Sequence, residues 1–125
     1  MLHPTCALVL AVLVWTAALT SMVPARAQTE VDLALVLAVD VSNSMDPEEQ
    51  ELQRQGFVEA FRSPLVHKAI GSGMLGRIAV VYVEWSGAFD QQIIVPWTVI
   101  EQPADALAFA AGLSRSPLHL SLIHI

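Results

Sequence analysis

Residues 33–44 read LALVLAVDVSNS, an unbroken apolar run that is followed at once by Asp40, Ser42 and Ser44. A continuous run of Leu, Val and Ala is typical of a strand buried on both faces, as in a parallel sheet between helices. We therefore expect residues 31–39 to form a central strand that is covered on both faces. The polar residues then lie where this strand leaves the sheet, which is where ligands bind in open α/β sheets.

The side chains after this strand are oxygen donors of the kind that hard divalent cations prefer. Mg²⁺ takes oxygen ligands in octahedral geometry and usually keeps several waters, so one carboxylate and two short hydroxyls on a tight loop suit it. We predict that Asp40, Ser42 and Ser44 bind Mg²⁺ or Mn²⁺. The alternative is a loop without metal, in which Asp40 forms a turn and the serines are loop and cap residues, because these residue types dominate turns.

The amino-terminal residues have the pattern of an export signal. Residues 6–19 form an apolar stretch that is too short to span a bilayer comfortably, and Ala25-Arg26-Ala27 has the small residues of a cleavage site. We predict a signal peptide over residues 1–27, cleavage before Gln28, and a periplasmic or extracellular protein. An uncleaved membrane anchor is the alternative.

The segment LSLIHI at residues 120–125 continues no pattern of the preceding chain. It resembles the conceptual translation of a transposon adapter used in sequencing libraries, so we expect a non-native tail on a gene fragment. A natural apolar β-strand is the alternative. Removal of the signal leaves about 100 residues, enough for one small domain. We expect residues 28–119 to be the amino-terminal part of such a domain.

Charge and cysteine content limit the classes of partner. The chain has 12 acidic and 6 basic residues, for a formal charge of −6 at pH 7. Such a surface is a poor partner for nucleic acid. The single cysteine, Cys6, lies in the predicted signal, so the mature chain depends on packing rather than on disulfides.

The residues after the loop predict a capped helix. Asp46, Pro47 and Glu49 match an N-cap, a proline at the first helical position and a capping-box glutamate. We expect a helix from Pro47 with a second short turn restarting after Pro64, and glycines ending the helical region. The apolar stripe of this helical region is predicted to contain Leu52, Phe57, Val58, Phe61 and Leu65.

Two strands and a helix are predicted further along the chain. Residues 77–85 and 91–97 are separated by a link too short for a helical crossover, so they should pair as an antiparallel hairpin. Pro96 cannot donate a ladder hydrogen bond and assigns the second strand to the sheet edge. A helix over residues 103–113 should follow, which completes the order β-α-β-β-α. Its predicted core-facing residues are Ala106, Phe109, Ala110 and Leu113.

The segment from Val31 to Leu113 resembles a von Willebrand factor type A domain, whose metal-ion-dependent adhesion site begins with Asp-x-Ser-x-Ser after the first strand. Residues 77–87, RIAVVYVEWSG, and residues 95–98, VPWT, are similar to an uncharacterised bacterial subgroup of exported single-domain members without an assigned activity. The resemblance implies an α/β fold with a Rossmann-like open sheet, mostly parallel with one antiparallel edge strand, and truncated after about the second helix.

The same resemblance implies a role for each loop residue. Ser42 and Ser44 would contact the metal through their hydroxyls, and Asp40 would hold it directly or through a water. The family also uses a Thr and an Asp from later loops, which this chain does not contain, so the ligand set is expected to be incomplete. The open coordination position would receive an acidic side chain of a partner protein, which implies an adhesion module rather than an enzyme.

Other residues of the chain suggest further roles. A magnesium-dependent phosphoester hydrolase that uses Asp40 as nucleophile is an alternative, but Ser42 stands where such chemistry needs a second acid. Thr98 and Asp105 are assigned no ligand role. The acidic residues of the first helical turn are expected to be solvated and to interact with the helix dipole. Trp85 and Trp97 are expected to pack in the core rather than to form a contact surface.

Overall fold

The computed structural model describes residues 27–118. The body of the predicted signal peptide, its possible role as an anchor, and the predicted non-native tail at 120–125 lie outside the described residues. Within that part the chain is α/β, with a three-stranded mixed sheet and three helices. None of the helices in this part is long and apolar enough to cross a membrane.

The elements follow the order β1, α1, α2, β2, β3, α3. Strand β2 lies in the middle of the sheet, parallel to β1 and antiparallel to β3. The sheet is therefore half parallel and half antiparallel in the described region rather than mostly parallel. The bounds are β1 Leu33–Asp40, α1 Pro47–Arg62, α2 Pro64–Gly71, β2 Ile78–Gly87, β3 Asp90–Ile100 and α3 Pro103–Arg115.

Helix α1 begins as the sequence predicts. The Asp46 carboxylate accepts from the Glu49 backbone N–H at 2.9 Å, and the Glu49 carboxylate accepts from the Asp46 N–H at 3.0 Å. This reciprocal capping box satisfies two backbone donors that the first helical turn leaves unpaired. Ser63 then separates α1 from α2, which begins at Pro64, and this confirms the predicted interruption and restart.

The turn between α2 and β2 is closed by Asp32, which lies just before β1. Its carboxylate accepts from the Leu75 N–H at 2.8 Å and from the Arg77 N–H at 3.2 Å. A Cβ at Gly73 would collide with this carboxylate, and Gly76 has a φ of +69°, a backbone conformation that glycine adopts without strain. The glycines that end the helical region therefore form the turn that leads into β2.

Strands β2 and β3 form the predicted hairpin, and β3 is an edge strand among the described residues. Val80 pairs with Thr98 and Tyr82 pairs with Val95, so Pro96 and Trp97 together lie opposite a single residue of β2. This is a β-bulge, a site that tolerates a proline because the ladder is already interrupted there. The edge position predicted from Pro96 is confirmed.

The core lies between one face of the sheet, which we call the inner face, and helices α1 and α3. Tyr82 on β2 contacts Phe57 of α1 edge-on, with ring centroids 5.4 Å apart, and Phe61 of α1 contacts Phe109 of α3 at 4.7 Å. The four predicted core residues of α3 are all buried, which confirms that stripe: Ala106, Phe109, Ala110 and Leu113. The sheet contributes Ile78, Val80, Tyr82, Val95 and Ile100.

The opposite face of the sheet, which we call the outer face, is apolar but has no helix over it in residues 27–118. Val81, at its centre, is buried by its neighbours, whereas Val36 on β1 is 55% exposed. The prediction that β1 is a central strand covered on both faces is therefore wrong for the described part of the chain. There β1 forms an edge, and Val39 is its one buried residue.

Some predicted core positions are exposed. Leu52 and Leu65, assigned to the apolar stripe of the first helical region, point to solvent. The predicted core packing of Trp85 and Trp97 is also wrong, because both are exposed. Trp85 pairs with Asp40 and Trp97 lies in the bulge opposite Val81, so both belong to the outer face, which no helix of the described residues covers.

Candidate metal site

The candidate site is the loop of residues 40–45, which joins the end of β1 to the cap of α1. Asp40 is the last residue of β1 and pairs with Trp85 on β2. The Val41 N–H donates to the Trp85 carbonyl at 2.9 Å, and the Met45 N–H donates to the Ser42 carbonyl at 3.0 Å. The first bond ties the loop to the sheet and the second closes it into a turn.

The three predicted ligands lie together in this loop. The Ser42 N–H donates to Asp40 Oδ1 at 2.7 Å, and the hydroxyl oxygens of Ser42 and Ser44 are 3.0 Å apart. Hydrogen bonds from the Ser42 hydroxyl and then from its backbone N–H lower the pKa of Asp40 below its ordinary value. The loop therefore holds an ionised carboxylate beside a pair of hydroxyls.

These donors fit a hard divalent cation. Adjacent ligands of an octahedral Mg²⁺ with bonds of about 2.1 Å lie about 3.0 Å apart, and the Ser42 and Ser44 oxygens already have that separation. Ser44 is exposed and Ser42 and Asp40 are half-buried, so solvent reaches the loop. A cation held by the hydroxyls would keep coordination positions for water or for an oxygen ligand from another molecule.

A residue that the sequence analysis missed holds both ends of the loop. Gln50 is buried on the first turns of α1, and its Nε2 lies 3.5 Å from the Val41 carbonyl and 3.3 Å from the Met45 carbonyl. Gln50 Oε1 is buried without a hydrogen-bond partner. Gln50, Arg54, Val58 and Phe61 are the buried residues of α1, so Gln50 belongs to the helix stripe that faces the sheet.

Below the loop is a buried ion pair that the sequence analysis also missed. Arg54 Nη2 donates to Glu84 Oε1, and both side chains are almost fully buried. Arg54 Nη1 also donates to the carbonyls of Ser116 at 2.5 Å and Pro117 at 3.1 Å. Arg54 thus joins α1, β2 and the segment after α3. The sequence feature that could have indicated this ion pair is Glu84, a lone glutamate inside the apolar strand β2.

Tyr82 lies beside this ion pair on the inner face. Burial, and secondarily the negative charge of Glu84, raise the pKa of Tyr82 to about 12, while Arg54 opposes the shift. Several polar atoms of this region are buried without hydrogen-bond partners: Arg54 Nε, Tyr82 OH and Glu84 Oε2. The region between the loop and the apolar core is therefore polar and desolvated.

Thr98 and Asp105, which were assigned no role as metal ligands, form local hydrogen bonds. The Thr98 hydroxyl donates to the Pro96 carbonyl, and the Asp105 carboxylate accepts from the N–H groups of Glu101 and Gln102 at the start of α3. These bonds, with Gln102 the larger cause, lower the pKa of Asp105. Glu49 caps α1. Within residues 27–118 no three His, Cys, Asp or Glu side chains form a metal-binding group, so a cation at the loop would depend on the serine hydroxyls.

Comparison with protein families gives one result. A family model described as "Protein of unknown function (DUF1194)" matches residues 30–121. No curated protein matches the chain, and no solved structure matches it.

Proposed function

The chain belongs to the DUF1194 family of proteins of unknown function, and we propose that its Asp40-x-Ser42-x-Ser44 loop binds Mg²⁺ or Mn²⁺ and presents the cation to an acidic group of a protein ligand. In this proposal Ser42 and Ser44 hold the metal through their hydroxyls. Asp40 holds it directly or through a water. The chain acts by binding and carries out no catalysis.

The observation that carries the proposal is the donor arrangement at the end of β1. Two hydroxyl oxygens 3.0 Å apart stand next to the Asp40 carboxylate, whose pKa is lowered by hydrogen bonds from Ser42. The cation itself would supply the positive charge that attracts an acidic ligand to a surface with a formal charge of −6.

Exposed aromatic side chains support a protein as the ligand. Trp85 pairs with Asp40 and is 39% exposed, and Phe89 at the tip of the β2–β3 hairpin is fully exposed. Both lie at the end of the sheet where β1 and β2 finish, which is also the end that carries the loop. Exposed aromatics of this kind are enriched at protein interfaces and often supply much of the binding energy.

The proposed architecture is that of a von Willebrand factor type A-like module of the adhesion-site type. The support is the order of strand, Asp-x-Ser-x-Ser loop, capped helix and hairpin. In such a module, loops beyond the described residues would supply the remaining metal ligands. The three oxygen donors of this loop would by themselves hold the cation weakly.

Calorimetric titration of the protein with MgCl₂ and with MnCl₂ tests the metal site. Ser42→Ala, Ser44→Ala and Asp40→Ala should each lower the affinity at least about tenfold, since even residues outside the ligand set commonly contribute that much. Asn43→Ala, between the two serines, is the matched control in the loop. Glu48→Gln controls for the loss of a nearby negative charge. Equal affinities across all five variants would refute the proposed ligands.

The ligand class is tested with a short peptide that contains Glu and its Gln counterpart. The Glu peptide should bind only when Mg²⁺ is present, and Ser42→Ala should abolish that binding. The hydrolase alternative predicts instead that the protein hydrolyses p-nitrophenyl phosphate with Mg²⁺ and that Asp40→Asn stops the reaction. Turnover of that kind would replace the binding proposal.

The pH dependence of metal binding follows from the lowered pKa of Asp40. A carboxylate with a pKa below the ordinary aspartate value of 3.8 is ionised at every pH above about 5. Magnesium affinity should therefore be level between about pH 8 and pH 5 and fall only in stronger acid. A loss of affinity centred between pH 6 and pH 7 would mean that a group other than Asp40 controls binding.

We also propose that the chain is exported, with the periplasm or the cell exterior as its destination. Residues 6–19 and Ala25-Arg26-Ala27 support this. Mass spectrometry of the protein recovered from a bacterial host should show an amino terminus at Gln28. Recovery of the intact amino terminus from the membrane fraction would favour the uncleaved anchor.

A further inference from the structure

We propose that Gln50 is a positioning residue that holds the loop of residues 40–45 in its metal-binding geometry, a role that rests on the proposed function. Its side-chain amide spans the two ends of the loop, the Val41 carbonyl at one end and the Met45 carbonyl at the other. Ser42 and Ser44 lie between those two points.

The bonding around the loop explains why a bridge is needed. The Val41 N–H is bonded to the Trp85 carbonyl, so the start of the loop moves with the sheet. Asp46 caps α1, so the end of the loop moves with the helix. The spacing of the serine hydroxyls therefore depends on how the sheet and the helix sit relative to each other. Gln50 contacts the loop at both ends and opposes a change in that distance.

The orientation of the Gln50 amide follows from its partners. Both are carbonyl oxygens, which only accept hydrogen bonds, so the NH₂ end of the amide must face them. The two distances of 3.5 and 3.3 Å exceed the usual range for such bonds. The NH₂ group thus lies between the two carbonyls rather than close against one of them. Each bond is therefore weak, but together they hold the two ends of the loop at a fixed distance from each other.

The unpaired oxygen of the same amide argues against a role in stability alone. Gln50 Oε1 is buried without a hydrogen-bond partner among residues 27–118, which costs free energy that an apolar residue of the same size would not incur. The NH₂ end of the Gln50 amide is bonded to the loop, whereas its oxygen end is not. A substitution that removes the whole amide therefore relieves one buried unpaired atom while it releases the loop, so metal affinity and stability should respond differently.

Gln50→Met keeps the length and burial of the side chain and removes its donors. We expect the magnesium affinity measured by calorimetry to fall about tenfold, in the range typical of residues that orient metal ligands. The thermal midpoint should change by less than about 3 °C, because the loss and the relief offset each other. Amide hydrogen exchange without metal should be faster at Ser42 and Met45, whose N–H groups bond within the loop.

Gln53→Met is the matched control. Gln53 lies on the same helix, is half-buried, and its Oε1 is also buried without a partner. No hydrogen bond within residues 27–118 joins Gln53 to the loop. This variant should leave both the magnesium affinity and the exchange at Ser42 and Met45 unchanged.

Two outcomes would overturn the proposal: a folded Gln50→Met protein with parental exchange at Ser42 and Met45, or equal losses of affinity in the two Met variants. If Gln50→Met does not fold, Gln50→Leu carries the test, because it also removes the donors and buries no polar atom; faster exchange at Ser42 and Met45 is again expected. If the parent binds no metal, the proposed function fails, and the exchange measurement still decides whether Gln50 holds the loop.

Discussion

The two faces of the sheet have similar apolar composition and different surroundings. On the inner face Val80 and Tyr82 of β2 are fully buried beneath helices α1 and α3. On the outer face Val36, Ile93 and Trp97 are all more than half exposed, although they are as apolar as their inner counterparts. An apolar residue on a strand thus indicates a preference for burial, while a packed element above the strand determines whether burial occurs.

The inner face also differs in carrying the charged pair. Glu84 is the one charged residue among the buried positions of β2, and Arg54 approaches it from α1. Only a face closed by helices can desolvate such a pair, and the guanidinium must then remain for the carboxylate to stay buried. The outer face holds no comparable buried charge in the part of the chain that the structure describes.

The largest expected effect comes from removing the positive partner on the inner face. Arg54→Met leaves Glu84 buried without its counterion and releases the carbonyls of Ser116 and Pro117. We expect the free energy of unfolding in urea to fall by about 3–5 kcal/mol.

The double variant Arg54→Met/Glu84→Leu is the control for this loss. It removes both charges and should recover most of the stability, because a buried ion pair replaced by apolar residues is often neutral. A loss below about 1 kcal/mol in the single variant would mean that solvent reaches the ion pair in solution. The inner face would then be more open to water than the structure shows.

A matched pair of valines compares the two faces directly. Val80 is fully buried on the inner face and Val36 is 55% exposed on the outer face. Val80→Ala should lower the free energy of unfolding by about 2 kcal/mol, because it removes buried methyl groups and leaves a cavity. Val36→Ala should change it by less than about 0.5 kcal/mol. Similar losses in urea denaturation would indicate that something covers the outer face in solution.

The ionisation of Tyr82 reports on the inner face without a substitution. This is the single tyrosine of the chain, so the ultraviolet absorbance change on forming tyrosinate should show one midpoint, at a pKa of about 12. Since the folded protein holds this proton more tightly than the unfolded chain, Tyr82 should favour unfolding as the pH rises from about 10 to 12. A midpoint near pH 10 would show that water reaches the phenol.

A tryptophan on the outer face offers a second substitution with a small expected effect on stability. Trp97 is 55% exposed, so Trp97→Thr should change the free energy of unfolding by less than about 1 kcal/mol. The same change removes a large apolar side chain from an exposed apolar surface and should raise the solubility of the protein. Urea denaturation and light scattering at increasing protein concentration measure the two effects. Unchanged scattering would show that this face does not drive association.

Most of the local structure could be predicted because its causes are local. The capping box of Asp46 and Glu49, the interruption at Pro64, the edge position of Pro96 and the buried stripe of α3 all follow from neighbouring residues. The grouping of Asp40, Ser42 and Ser44 was equally accessible, since these residues lie within one short loop.

The errors concern residues whose environment depends on distant parts of the chain. Trp85 and Trp97 are expected in the core because they are large and apolar, but they lie on the face that no helix covers within residues 27–118. Leu52 and Leu65 have the right residue type for a core stripe but the wrong angular position relative to α3 and the sheet. The Arg54–Glu84 contact spans 30 residues, and no local pattern specifies such a pairing.

The amino-acid sequence by itself determined the order of the helices and strands, the capping of α1, and which oxygen donors share the loop after β1, because these features depend on backbone preferences and on neighbours a few residues away. Tertiary structure alone decided which face of the sheet is buried, that Arg54 meets Glu84, and that Gln50 spans the ends of the candidate metal loop. Those outcomes depend on how helices pack on strands, where burial and electrostatic energy are set by contacts between distant segments.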